Sequence, residues 1–171
     1  METDATFPEP LTALPQGRFS GPVEFANMIR LALATAAQEN WREVILCDAN
    51  FSDWPLGERA VAQSLNDWAK SGRKLTLLAS NYDFIIQRHA RFVTWRQTWA
   101  HIIECRKVPV TSGAALPSAL WSPHWVFRRL DLERSTGIAG FEPARATALR
   151  EQIEECLRKS AAGFPSTTLG I

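Results

Sequence analysis

Between residues 23 and 106 the chain alternates between two hydrophobic periods, and this restricts the possible folds more than any other feature. Phe25, Ile29, Leu33 and Ala36 recur at three- and four-residue steps, which predicts an amphipathic helix over residues 23–40. The short apolar run at 43–49 suits a buried strand. Val61, Leu65 and Trp68 then share a helical face that stops at Ser71-Gly72, and residues 74–79 form a second buried run. A strand, a helix and a strand joined by a right-handed crossover give a parallel pair. A third helix is expected over 82–96, with Ile85, Phe92, Trp95 and Trp99 along one side, and a third strand over 101–106.

The pattern loosens after that. Residues 109–123 read as a loop rich in Ser, Gly, Ala and Pro, and 125–130 as a strand. Residues 132–139 read as its hairpin partner or a looser return. A last helix spans 143–160 with Leu149, Ile153 and Leu157 inward. The expected fold class is α/β, a single domain with a mixed sheet flanked by helices. The domain occupies residues 19–160, with an irregular arm at 1–18 (Pro8, Pro10, Pro15, Gly17) and a tail at 161–171.

A length of 171 residues suits one such domain. The formal net charge of +1 gives no bulk attraction to nucleic acid or anionic membrane, so a nucleic-acid partner is not expected. Met1 to Thr6 lack the basic start and apolar core of a signal peptide. The longest apolar stretch, 29–37, is broken by Arg30 and Thr35. Together these predict a cytoplasmic protein with no membrane insertion. Cys47, Cys105 and Cys156 form no C-x-x-C pair and read as buried free thiols, with no zinc site and no disulfide framework. Seven tryptophans (41, 54, 68, 95, 99, 121 and 125) are the one compositional excess. Core packing is the simpler account of them, and a pocket or self-association surface is the other.

No glycine-rich phosphate loop follows the first strand, and no G-x-S-x-G elbow is present. No cofactor and no metal is expected. The loop after that strand carries Asp48, Asn50 and Asp53 at the carboxyl end of the sheet, where ligands of open α/β sheets collect. They are candidate ligand-binding residues. The plainer reading is that Asp48 stabilises the turn and Asp53 caps the next helix. His89 lies mid-helix and reads as a surface residue, and His101 as a partly buried strand residue.

His124 stands apart. In Ser122-Pro123-His124-Trp125-Val126-Phe127-Arg128-Arg129-Leu130-Asp131, an aspartate follows a histidine by seven residues on a late strand. Side-chain alternation puts His124, Val126, Arg128 and Leu130 on one face, with Arg128 about 7 Å beyond Val126. This stretch resembles the phospholipase D superfamily signature H-x-K-x4-D, with Val126 in place of the lysine. Residues 23–159 resemble one half of such a fold. The matching parts are the early amphipathic helix, the strand near 42–49, the helix containing Glu58-Arg59-Ala60-Val61, the run Gly72 to Leu78, the glycine-containing return 137–142 and a closing helix. A bacterial branch of these domains, many without the signature, is the most similar.

The resemblance implies a phospholipase D-like mixed sheet in which two histidines from two copies act on a phosphodiester, one attacking phosphorus and one protonating the leaving group. One chain has room for one copy, so it implies a homodimer. Val126 offers no donor to the phosphoryl oxygens, and the loss of one such donor costs about 10²–10³ in rate. The leading expectation is therefore a non-catalytic phospholipase D-like domain that binds a protein or small-anion ligand. The first alternative is a homodimeric phosphodiesterase or nuclease-like hydrolase with an altered site at His124, Arg128 and Asp131. The second is a nucleic-acid-binding module using Arg88, Arg91, Arg96 and Arg106 with Phe92, Trp95 and Trp99. It ranks last because those aromatics recur at helical spacing and suit the core face.

Overall fold

The computed structural model describes residues 13–113 and 115–165. Eight strands form one mixed sheet. In chain order the elements are β1 (Gly17–Phe19), α1 (Pro22–Gln38), β2 (Glu43–Cys47), α2 (Arg59–Ala69), β3 (Lys74–Ala79), α3 (Asp83–Arg88), α4 (Ala90–Thr98) and β4 (Ile103–Lys107). A 3-10 turn at Val110–Ser112 leads to β5 (Ser118–Trp121), β6 (Val126–Asp131), β7 (Thr136–Gly140), α5 (Pro143–Arg158) and β8 (Ala161–Ala162). The strand order is β1-β7-β6-β5-β2-β3-β4-β8. Strands β2, β3 and β4 run parallel, and every other pairing is antiparallel.

The period-2 alternation of β2 sets the two layers. Val44 and Leu46 join Leu75 and Leu77 beneath the α1–α4 layer, in a core with Phe25, Leu65, Phe92 and Trp95. Ile45 and Cys47 face the other way, with Leu78, Ala119 and Val126 against Leu149, Ile153 and Cys156 of α5. Both strands are thus buried on both faces, which is why 44–47 is continuously apolar and 75–79 is apolar but for the buried Thr76.

Several elements differ from the sequence reading. The expected helix over 82–96 is two helices, broken at His89, whose φ and ψ are −113° and 58°. That imidazole is buried, with Nε2 3.0 Å from the Phe51 carbonyl oxygen and the ring against Phe84. It anchors the break and is no surface residue. His101 is exposed in the turn before β4. The expected loop over 109–123 contains β5, which pairs with Ile45, Leu46 and Cys47. Its identity as a strand comes from the free edge of β2 and from no local period.

Gly17 and Arg18 of the expected arm form β1 with Phe19, against β7, and residues 161–162 of the expected tail pair with β4. Residues 13–16 and 163–165 are irregular, and the parts of those two expectations over 1–12 and 166–171 lie outside the described residues. Five of the seven tryptophans are core, and Trp99 and Trp121 are half-buried. No helix among the described residues is long and apolar enough to cross a membrane.

Candidate functional site

Strand β2 ends in a turn built by Asp48. Its Oδ2 accepts the backbone N–H of Asn50 at 3.2 Å and of Phe51 at 2.8 Å, which holds Phe51 at a left-handed φ of 58°. Asn50 spends its Oδ1 on the N–H of Ser52, at 3.0 Å. The other Asp48 oxygen, Oδ1, accepts Nη2 of Arg129 at 3.1 Å. Arg129 also donates to Asp53 through Nη1 and Nη2, and to Ser118 Oγ through Nε. Its guanidinium lies 4.1 Å over the Phe25 ring. The three candidate ligand residues are therefore occupied within the protein. Asp53 caps no helix: α2 begins at Arg59 with Glu58 at its N-cap, and Asp53 turns back to Arg129. Arg129 is the residue sequence reasoning missed. Its neighbour Arg128 shares a face with His124 by strand alternation, whereas Arg129 faces the other way and meets both aspartates.

His124, Arg128 and Asp131 do not meet. His124 is exposed in the turn before β6, its ring tilted against Trp41 at 5.6 Å, and it lines a cleft beside α5. Arg128 is half-buried further along β6 between two smaller cavities, one shared with Asp48 and Ser118, the other with Val126 and Leu149. Asp131 Oδ1 accepts the Arg134 N–H at 3.0 Å and so shapes the β6–β7 turn. No cluster of three or more metal-ligating side chains occurs among the described residues.

A different surface gathers cationic groups. Helices α2 and α4 are flanks of a groove of 520 Å³ lined by Ala62, Asn66, Ala90, Arg91, Thr94 and Thr98, with Trp95 beneath. Small side chains on both helices keep it open. Arg91 lines it directly, tied by Nη1 to the Gly57 carbonyl at 2.8 Å. Arg59 stands one turn before Ala62 on the same face of α2. Arg88 ends α3, and its carbonyl packs 3.2 Å from where a Cβ on Gly57 would sit. All three arginines are exposed, and none has a carboxylate partner among the described residues. The indole N–H of Trp99 donates to Asn66 Oδ1 at 3.3 Å, which leaves the N–H₂ of this exposed amide as a donor.

The other members of the basic and aromatic set belong to the interior. Phe92 and Trp95 are core. Arg96 is buried, donating to the carbonyls of Ile103 and Phe164 at 3.0 and 3.2 Å. Arg106 holds the β8 end of the sheet through Ser160.

No protein-family model and no curated protein matches the chain. Among solved structures it is similar to TrmBL2, an archaeal chromatin protein described as showing a novel mode of DNA binding. The TM-score is 0.59 at 15% identity, over 85% of this chain and 54% of that one. The chain thus spans about half the length of this relative. The comparison supports the α/β fold and overturns two expectations. A domain of this architecture occurs in a DNA-binding protein, so the binding role without nucleic acid, and the placing of nucleic acid as an unexpected partner, are corrected. Net charge is a property of the whole chain and does not describe a single face. The total is +1, whereas over residues 83–98 the exposed charges are Asp83 against Arg88 and Arg91, Arg96 being buried.

Proposed function

We propose that the chain is a nucleic-acid-binding module that holds a sugar–phosphate backbone in the groove between α2 and α4. The observation that carries this reading is the fold it has in common with the DNA-binding protein TrmBL2. The groove supplies the physical means. Arg91 lines the groove and Arg59 and Arg88 are exposed on neighbouring turns, all three without a carboxylate partner among the described residues, and the Thr94 hydroxyl and Asn66 amide provide neutral donors for phosphate oxygens. Phe92 and Trp95 are buried and offer no ring to an unstacked base, so the groove favours the phosphates of a duplex over a base-stacked single strand. Contacts of this kind position a protein on nucleic acid and carry little sequence preference.

The test is fluorescence anisotropy with a mixed-sequence DNA duplex across a range of salt concentrations. Three arginine–phosphate contacts predict that log K falls against log salt with a slope of about −2.7. Arg88→Glu with Arg91→Glu is expected to remove binding while far-UV circular dichroism stays unchanged. Affinity that ignores both salt and this double substitution would exclude the groove.

A further inference from the structure

The cleft beside His124 is separate from the α2–α4 groove and has a different chemistry. It has a volume of 370 Å³ and lies where the β5–β6 turn and the end of β7 meet α5. That volume is within the range of small-ligand sites. Its exposed or half-buried rings are Trp121, Phe141 and His124; Trp125 also borders it, but its side chain is buried in the helix-layer core. Phe141 is 46% exposed, a large apolar side chain left open to solvent at the end of β7. The turn that carries the histidine is rigid. Ser122 Oγ accepts the backbone N–H groups of His124 and Trp125 at 3.2 and 2.9 Å and donates to the Trp125 carbonyl at 2.7 Å. Trp121 is fixed too, its indole N–H donating to the Ala146 carbonyl at 3.0 Å.

Polar groups of both kinds stand on the α5 side. Thr147 presents a hydroxyl and Glu151 a carboxylate. Arg150 stacks on the Trp121 ring at 4.5 Å and spends Nη1 on Glu43 and Nε on Glu154. Its Nη2 has no acceptor among the described residues. Gly140 is part of the wall, and a Cβ built there meets nothing within 4 Å. The absent side chain leaves the cleft open, and the Gly140 backbone is not in the left-handed region.

The geometry points to a site for one planar heteroaromatic ring with donors and acceptors on its edge, the chemistry of a nucleobase. Flat apolar walls take the faces of such a ring, and its polar edge meets the hydroxyl, carboxylate and guanidinium of α5. A purely aliphatic ligand would leave those groups unpaired on closing the cleft, and a polar ligand without a flat face would forfeit the aromatic walls. The site does not depend on the groove reading, since it shares no residue with that surface. The ring has two possible sources, a free nucleoside or nucleotide and an unpaired base of a strand.

The experiment is isothermal titration calorimetry of the full chain with adenosine, guanosine, cytidine and uridine, with ribose as the control, and separately with a single-stranded oligonucleotide and a fully paired duplex. Saturable binding of at least one nucleoside, without ribose binding, is the expected result. Gly140→Leu fills the cleft, and Thr147→Tyr, at an exposed helical position, narrows it if the first variant folds poorly. Either variant is expected to weaken binding, as is Trp121→Ala, which removes one stacking ring, by on the order of 5- to 150-fold. Nucleoside binding that an oligonucleotide does not reproduce assigns the ring to a free nucleotide. Weakened single-strand binding in Gly140→Leu, with duplex binding unchanged, assigns it to an unpaired base. The proposal is overturned if no nucleoside and no single strand binds, or if binding is indifferent to all three substitutions. Arg88→Glu with Arg91→Glu is expected to leave nucleoside binding intact, which separates failure of this site from failure of the groove.

Discussion

The guanidinium of Arg129 lies 3.1 Å from Asp48 and 4.1 Å from the Phe25 ring, with 3% of its side chain exposed. Asp48 is almost as buried. Burying two such charges is tolerable only while they compensate each other, and removal of one partner leaves the other charged and desolvated. Arg129→Met is therefore expected to lower the unfolding free energy by about 3–5 kcal/mol, read from urea melts. Its neighbour Arg128 is half-buried with no carboxylate partner among the described residues, and Arg128→Met should shift stability by about 0.5 kcal/mol or less. Equal losses in the two variants would refute the assignment. Two adjacent arginines on one strand look alike in the sequence. Period-2 alternation says that they face opposite ways but does not say which way meets carboxylates brought in from 76 and 81 residues away in the chain.

At the scale of elements, the β6–β7 hairpin illustrates a constraint imposed by close approach. Gly137 pairs with Phe19 on one side and Arg129 on the other. A Cβ there would lie 2.0 Å from the Arg128 carbonyl oxygen and 2.6 Å from the Phe19 ring. Gly137→Ala must push β7 away from β6 or displace the β1 contact, and is expected to cost about 1–3 kcal/mol. A melting temperature unchanged from the parent would contradict this. The same hairpin was legible in part: residues 125–130 read as a strand, while 132–139 stayed open between a hairpin partner and a looser return. The strand β5 was not legible, because Ser118–Trp121 has no local signature beyond three apolar residues after a serine. The break at His89 was hidden as well. The helical period continues across it, and its cause is a hydrogen bond to Phe51, 38 residues earlier.

Across the whole molecule the three cysteines report on both sides of the sheet. Cys105 lies in the helix-layer core, and Cys47 and Cys156 lie in the α5 layer. Burial pushes the Cys105 thiol up to about 12, against the lowering effect of Arg96, and pushes Cys47 well above the ordinary value of 9.0. A folded-state value above the unfolded one favours the protonated native thiol. Stability is accordingly expected to be unaffected by these groups below pH 9.0 and to fall as pH rises from there toward about 12. Replacing Cys47 and Cys105 by Ala or Ser should flatten that alkaline limb, measured as the midpoint of thermal unfolding against pH. At neutral pH the native thiols should resist iodoacetamide, and mass spectrometry of the labelled protein checks this.

What the sequence by itself determined was the layer logic. The periods of α1, α2 and α5 and the largely apolar runs of β2 and β3 call for helices packed on both faces of a sheet with a parallel centre, because a strand apolar on both sides must be covered on both. It also determined the turn chemistry at Asp48, which is local. Tertiary structure alone decided which charged residues are spent and which are left over. Arg129, Arg96 and Arg106 are consumed by groups distant in the chain, while Arg59, Arg88 and Arg91 are exposed and left without carboxylate partners among the described residues. Ion pairing depends on separations of a few ångströms in space, and the spacing of charges along a chain carries almost none of that information.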